Sequence, residues 1–119
     1  MAAYAATVTS PLRHAVKVDN LDGVGLYFGR VDVTNYNQTV AEISDITGKF
    51  KNDPTVVLDP ISSEGYGVRW NPTSKSIEAF YGVAASDQTP TADIDAGPFT
   101  EVATDVDVGE VNFVAYGII

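Results

Sequence analysis

Short stretches in which apolar residues recur at every second position dominate this chain, and glycine, proline, asparagine and aspartate separate them. A repeat of two is typical of β-strands, whose side chains point alternately to the two faces of a sheet. About seven such stretches occur, whereas only residues 40–47 keep a helical spacing, for about two turns. The pattern predicts an all-β protein: an antiparallel β-sandwich or small barrel of about seven short strands with at most one short helix.

Two of the predicted strands, residues 24–33 and 110–118, are apolar on both faces. In the first of them, one face carries Val24, Leu26 and Phe28, and the other carries Tyr27, Val31 and Val33. A single core covers only one face of a strand, and exposed apolar patches usually mark an interface. We therefore expect a closed homo-oligomer, a trimer or a dimer.

Residues 65–82, GYGVRWNPTSKSIEAFYG, predict a β-hairpin around the four-residue loop PTSK. A register with Trp70 opposite Ile77 gives sensible neighbours throughout, including Arg69 opposite Glu78. One face of the hairpin is then wholly apolar, which favours core packing over subunit contact or stacking on a ligand. We expect four residues to anchor the core: Tyr66, Trp70, Ile77 and Tyr81.

Residues 1–14 show neither a strand nor a helix period and contain Pro11. We expect them to form an extended N-terminal arm that becomes ordered only against a partner, because ordering a free segment costs conformational entropy. Residues 15–119 would form the single β-sandwich domain. Four residues of the arm are the candidates for partner binding: Tyr4, Val8, Leu12 and Arg13.

The charge of the chain narrows its partners. Among 119 residues, 16 are acidic and 7 are basic, so the net charge is −9, and the basic residues are scattered. Such a field repels phosphate backbones and anionic lipid, so we expect neither nucleic acid nor membrane as a partner. The chain lacks a signal-peptide pattern and any apolar run near the ~20 residues that span a bilayer, so we expect a soluble protein.

Few residues offer chemistry. The chain has no cysteine and a single histidine, His14, which we interpret as a solvated or interface residue. Two acidic pairs, Asp93 with Asp95 and Asp105 with Asp107, suggest either solvated turns or a weak calcium site. No pattern selects two facing carboxylates for a glycosidase. We therefore expect no enzymatic activity, no cofactor and no essential metal.

Three stretches occur in the following order along the chain: FGRVDVTNYNQTVAEISDITGKF, the hairpin GYGVRWNPTSKSIEAFYG, and the terminal DVDVGEVNFVAYGII. Over residues 24–119 this order resembles the small β-sandwich head proteins of tailed bacteriophages, of the capsid decoration or cement type. The resemblance implies a non-enzymatic virion protein, made in the host cytoplasm, that binds the major capsid protein on the outer capsid surface. Similar hairpins recur in other phage structural proteins. A tail or neck protein, or a receptor- or carbohydrate-binding sandwich, is the alternative.

Overall fold

The computed structural model describes residues 3–19, 22–82 and 99–119. These residues form two antiparallel sheets and one very short helix, which confirms the predicted all-β, sandwich-like fold. In chain order the elements are β1 (Ala5–Thr9), β2 (Val16–Lys17), β3 (Val24–Asn35), α1 (Ser44–Thr47), β4 (Thr55–Leu58), β5 (Gly67–Asn71), β6 (Ser76–Gly82), β7 (Phe99–Glu101) and β8 (Gly109–Ile118).

The larger sheet is built around β3 and β8, the two strands whose sequences are apolar on both faces. They pair from Val24 opposite Ile118 to Val33 opposite Gly109. The strand order is β1-β3-β8-β4, and β2 also pairs with β3. Because both central strands are rich in β-branched and aromatic residues, they suit a pleated, packed surface.

Strand β4 lies at the edge of this sheet. Pro54 and Pro60 bracket it. Proline has no N–H to donate to a neighbouring strand, so prolines limit pairing at a sheet edge. The two prolines therefore fix the length of β4 and protect the open edge.

The smaller sheet has the order β5-β6-β7, and its hairpin has the predicted register, with Trp70 opposite Ile77. The side chain of Asn71 organises the loop, because its Oδ1 accepts hydrogen bonds from the backbone N–H groups of Thr73 and Ser74 at 2.9 and 3.3 Å. Lys75 closes the loop at a φ of 57° and donates its N–H to the Asn71 carbonyl at 2.7 Å. Asparagine is favoured in turns for this local bonding.

The core lies between the two sheets. Alternate residues of β3 and β8 point inward and meet the inner face of β6, while Ile46 of α1 is fully buried at the core. The fully or almost fully buried apolar residues of the strands and of the segments that flank β7 and β8 are Tyr27, Val31, Val33, Ile77, Ala79, Val102, Val108, Val111, Phe113 and Ala115.

The N-terminal segment corrects one expectation from the sequence. Ala5–Thr9 is not a free arm; it is strand β1 and pairs with β3. Tyr4 then reaches the second sheet, where its hydroxyl donates to the Ile77 carbonyl at 2.9 Å and accepts from the Ile77 N–H at 3.2 Å. At the other end of β1, Gly29 allows the segment to lie close against β3, because a Cβ at position 29 would collide with the carbonyl oxygen of Thr9. The segment therefore ties the two sheets together without a partner.

Candidate interaction surfaces

The outer face of the larger sheet carries a cluster of exposed apolar side chains, which we call the sheet-face patch. Its members are between 38% and 54% exposed: Val16, Leu26, Phe28, Val57, Val114, Tyr116 and Ile118. Directly opposite residues in an antiparallel pair share a face of the sheet. The register therefore places these side chains in rows across the strands, Val16 with Leu26 and Tyr116, then Phe28 with Val114 and Val57, with Ile118 at one end.

Further along the same face the sheet becomes charged. Asp32 lies opposite Glu110, and Arg30 contacts Glu110 with Nε and Oε2 3.7 Å apart. Loss of hydration raises the pKa of the Asp32 carboxyl, and the nearby charges of Asp107 and Glu110 raise it further. The outer face thus divides into an apolar half and a mainly acidic half.

A second apolar surface, the hairpin patch, lies at the end of the smaller sheet where β5 begins and consists of Ile61, Phe80 and Tyr81. Ile61 and Phe80 both pair with Gly67, so they stand on either side of a position without a side chain. The resulting depression has a volume of about 610 Å³. At its rim the guanidinium carbon of Arg69 lies 5.5 Å from the centre of the Phe80 ring.

The position of Tyr81 corrects its assignment as a core anchor, because its side chain is 45% exposed. Strand β5 begins at Gly67, opposite Phe80, so Tyr81 lies beyond the end of β5 and pairs only with Thr100 of β7. The inner face of the hairpin therefore runs past the core, and its last aromatic residue becomes part of the surface.

The other three predicted anchors face inward to different degrees. Ile77 is fully buried, whereas Tyr66 and Trp70 are half-buried against the core. Trp70 also lines a groove of about 480 Å³ between β4 and β5, together with Val56 and Leu58. Of the predicted anchors, only Ile77 lies entirely within the core. Trp70 packs partly against the core and partly lines this groove.

The residues proposed for partner binding in the N-terminal segment are mostly turned inward. Tyr4, Val8 and Leu12 pack against the core, and only Arg13 is exposed. The Arg13 carbonyl accepts a hydrogen bond from Lys49 Nζ at 2.9 Å. The sequence predicted that all four would contact a partner. Three of them instead hold the segment to the sandwich.

The acidic pairs have local roles where the structure describes them. Asp107 accepts a hydrogen bond from the Gly109 N–H at 3.0 Å, and Asp105 accepts one from the Asn35 side chain at 3.3 Å. Asp93 and Asp95 lie outside the described residues. Within residues 3–19, 22–82 and 99–119, no group of three or more acidic, histidine or cysteine side chains is arranged to hold a metal ion.

Tyr36, which no local sequence pattern singled out, is fully buried. Its hydroxyl donates to Glu101 Oε2 at 2.6 Å and accepts from the Ala79 N–H at 3.3 Å, and its ring meets the edge of Tyr4. Burial, followed by the hydrogen bond to Glu101, raises the pKa of Tyr36. Two tyrosines thus connect the N-terminal segment, the long strand β3 and the smaller sheet.

Because Tyr4 is buried, the free energy of unfolding should fall as the pH rises above about 10. Loss of hydration raises the pKa of Tyr4 from 10.0 to about 12, so the folded chain keeps a phenol proton that the unfolded chain releases. This contribution to stability is complete below about pH 10 and is lost as the pH rises through about 12, with a slope on the order of 1.4 kcal/mol per pH unit. Urea unfolding across this range should give a flatter slope for Tyr4→Phe. An unchanged slope would contradict the burial of Tyr4; exposed Tyr81→Phe is the matched control.

Comparison with known proteins gives no relative. No protein-family model matches the chain, and no curated protein and no solved structure matches it. In the part of the chain that the structure describes, no helix has the length and apolar character needed to cross a membrane. The function is therefore inferred from the sheet-face patch and the hairpin patch.

Proposed function

We propose that this chain is a non-enzymatic structural protein of a bacteriophage virion that binds the outer surface of the capsid and stabilises the shell. The observation that carries the proposal is the presence of two separate apolar patches on the sandwich, the sheet-face patch on the larger sheet and the hairpin patch at one end of the smaller sheet. Large contiguous exposed apolar patches mark interaction sites, protein interfaces among them. A subunit held among neighbours needs contacts on more than one side.

Charge and sequence support the same proposal. The net charge of −9 disfavours contact with packaged DNA and suits the outside of a shell. The order of the long strand, the hairpin and the terminal strand resembles phage decoration proteins over residues 24–119. In the proposal the partner is the major capsid protein, and the protein brings to it a rigid two-sheet scaffold with preformed surfaces.

We assign the contact with the shell to the hairpin patch. Ile61, at 61% exposure, is the most exposed large apolar residue in the described ranges. Aromatic residues and arginine are enriched among the residues that dominate binding energy, and this patch combines Phe80 and Tyr81 with Arg69. The Arg69 guanidinium is held in place by Glu78, with Nη2 and Oε1 2.9 Å apart. A fixed arginine beside an apolar depression is suited to a protein surface.

Replacing Ile61 with glutamate tests this assignment. A carboxylate placed in an apolar contact loses hydration without a partner, so we expect at least about tenfold weaker co-sedimentation with empty capsids, or about 1.4 kcal/mol. The melting temperature should stay unchanged because Ile61 is exposed. Thr73→Glu, in the exposed hairpin loop, adds the same charge away from the patch and should bind normally. Full capsid occupancy by Ile61→Glu would refute the assignment.

Carbohydrate binding is the second candidate function, and Phe80 is the observation that favours it. Since Gly67 has no side chain, one side of the Phe80 ring borders the open depression, and sugars stack on aromatic rings in such positions. Glycan-array binding by the isolated protein, lost in Phe80→Ala, would favour this function. Binding to empty capsids without glycan binding would favour the structural one.

A further inference from the structure

We infer that two copies of this chain pair face to face through the sheet-face patch, about a twofold axis that crosses the strands at the apolar half of the larger sheet. This pairing occurs in the free protein and is separate from capsid binding. The surface that the fold leaves uncovered is then occupied by the same surface of a second copy.

The size of the patch suits a weak dimer. Its seven side chains, each about two-fifths to one-half exposed, present roughly 500 Å² of apolar surface. Two such surfaces bury about 1,000 Å², the size at which specific protein interfaces begin. We therefore expect a dissociation constant in the micromolar range, because an interface this small offers little surplus over the cost of association.

The shape of the patch suits a second copy of itself. The face is a sheet of paired strands, and two sheets pack face to face at about 10 Å with their side chains interleaved. In a twofold interface the same patch serves both partners, so it must complement itself. A surface of valine, leucine, isoleucine and two aromatic residues, without a charged side chain among its members, meets that requirement.

The charged half of the face sets the direction of the axis. An axis parallel to the strands would stack Asp32 and Glu110 on their copies, which places acidic groups against acidic groups. An axis across the strands, near Leu26 opposite Tyr116, stacks apolar half on apolar half and sends the acidic halves to opposite ends of the dimer. The second arrangement avoids the repulsion and leaves Arg30 with its own Glu110.

Sedimentation velocity from about 1 to about 200 µM tests the pairing. We expect the unmodified protein to shift from monomer to dimer over this range, and Val114→Glu, at the centre of the patch, to weaken the association at least tenfold. Ile61→Glu, the same kind of change on the hairpin patch, should dimerise normally. A charge at Val114 on the central strand could also disturb the fold, so Val57→Glu on the edge strand is the second variant. It should weaken the association in the same way. A protein that stays monomeric throughout, or dimers that survive both changes, would overturn the inference.

Single cysteines test the axis, since the natural chain contains none. Leu26→Cys lies near the axis and should form a disulfide-linked dimer on mild oxidation. Thr7→Cys lies opposite Asp32 in the charged half and should stay monomeric. Equal cross-linking of the two variants, or cross-linking of Thr7→Cys alone, would contradict the axis.

Capsid binding separates this inference from the proposed function. If Val114→Glu is monomeric but still binds capsids, both proposals stand on separate surfaces. If the unmodified protein is monomeric and Val114→Glu loses capsid binding, the shell covers the sheet-face patch; that result overturns the dimer and leaves the proposed function in place.

Discussion

Replacing Tyr36 with alanine should lower the free energy of unfolding by about 3–5 kcal/mol, the range observed when large buried aromatic residues are truncated. The side chain is fully buried, and its ring centre lies 5.9 Å from that of Tyr4. Its loss would leave a cavity where the N-terminal segment, β3 and the smaller sheet meet. Urea denaturation of the purified variant measures the effect.

Tyr36→Phe separates the ring from the hydroxyl. It keeps the packing but leaves the Ala79 N–H without its acceptor and Glu101 without its donor, which should cost about 1–3 kcal/mol. Tyr116→Phe on the exposed outer face is the control and should be neutral. A loss below about 1 kcal/mol for Tyr36→Ala would show that the residue does not join the two sheets.

Deleting residues 1–9 should also be strongly destabilising, on the order of 4 kcal/mol, because it removes β1 and the half-buried Tyr4 and Val8 together. In a domain of about 100 residues each kcal/mol shifts the melting temperature by about 4–8 °C, so the melting temperature should fall by roughly 15–30 °C.

The sequence alone suggested the opposite result for this deletion, since a free arm contributes no stability. Arg13→Ala, at the exposed end of the same segment, is the control and should melt like the unmodified protein. A truncated protein with an unchanged melting temperature would show that β1 is not a lasting part of the sheet.

The hairpin was predictable because its constraints agree. A four-residue loop, a wholly apolar face and Arg69 opposite Glu78 all require the same register, and a shift by one residue would turn the apolar face to solvent. Strand β4 is specified in a similar way, since Pro54 and Pro60 set its ends. Where several local requirements agree, the sequence specifies the element.

Strand β1 and Tyr81 were not predictable from local pattern. The segment AATVT alternates weakly, because alanine and threonine fit either face of an edge strand, and only pairing with β3 decides its place. Tyr81 continues the apolar alternation of its strand, but its exposure depends on where the neighbouring strand β5 begins. The pairing of β1 and the exposure of Tyr81 both depend on neighbouring strands that are distant in the sequence.

The sheet-face patch was half predictable. The sequence showed that residues 24–33 and 110–118 are apolar on both faces but did not show which face is covered. The inner set stays apolar through Val31 and Val33, whereas the outer set becomes charged at Arg30 and Asp32. Burying the outer set would have buried those charges at a large cost, so the fully apolar set forms the core.

Saturation binding to empty bacteriophage capsids is the most direct test of the proposal that the protein is a structural component of the outer shell. Capsids incubated with increasing protein are pelleted, and densitometry gives the ratio of bound protein to major capsid protein. We predict binding that saturates at a fixed ratio across the whole shell and is weakened by Ile61→Glu. Absence of the protein from the pellet, or saturation at the few copies expected of a tail or neck position, would contradict the claim.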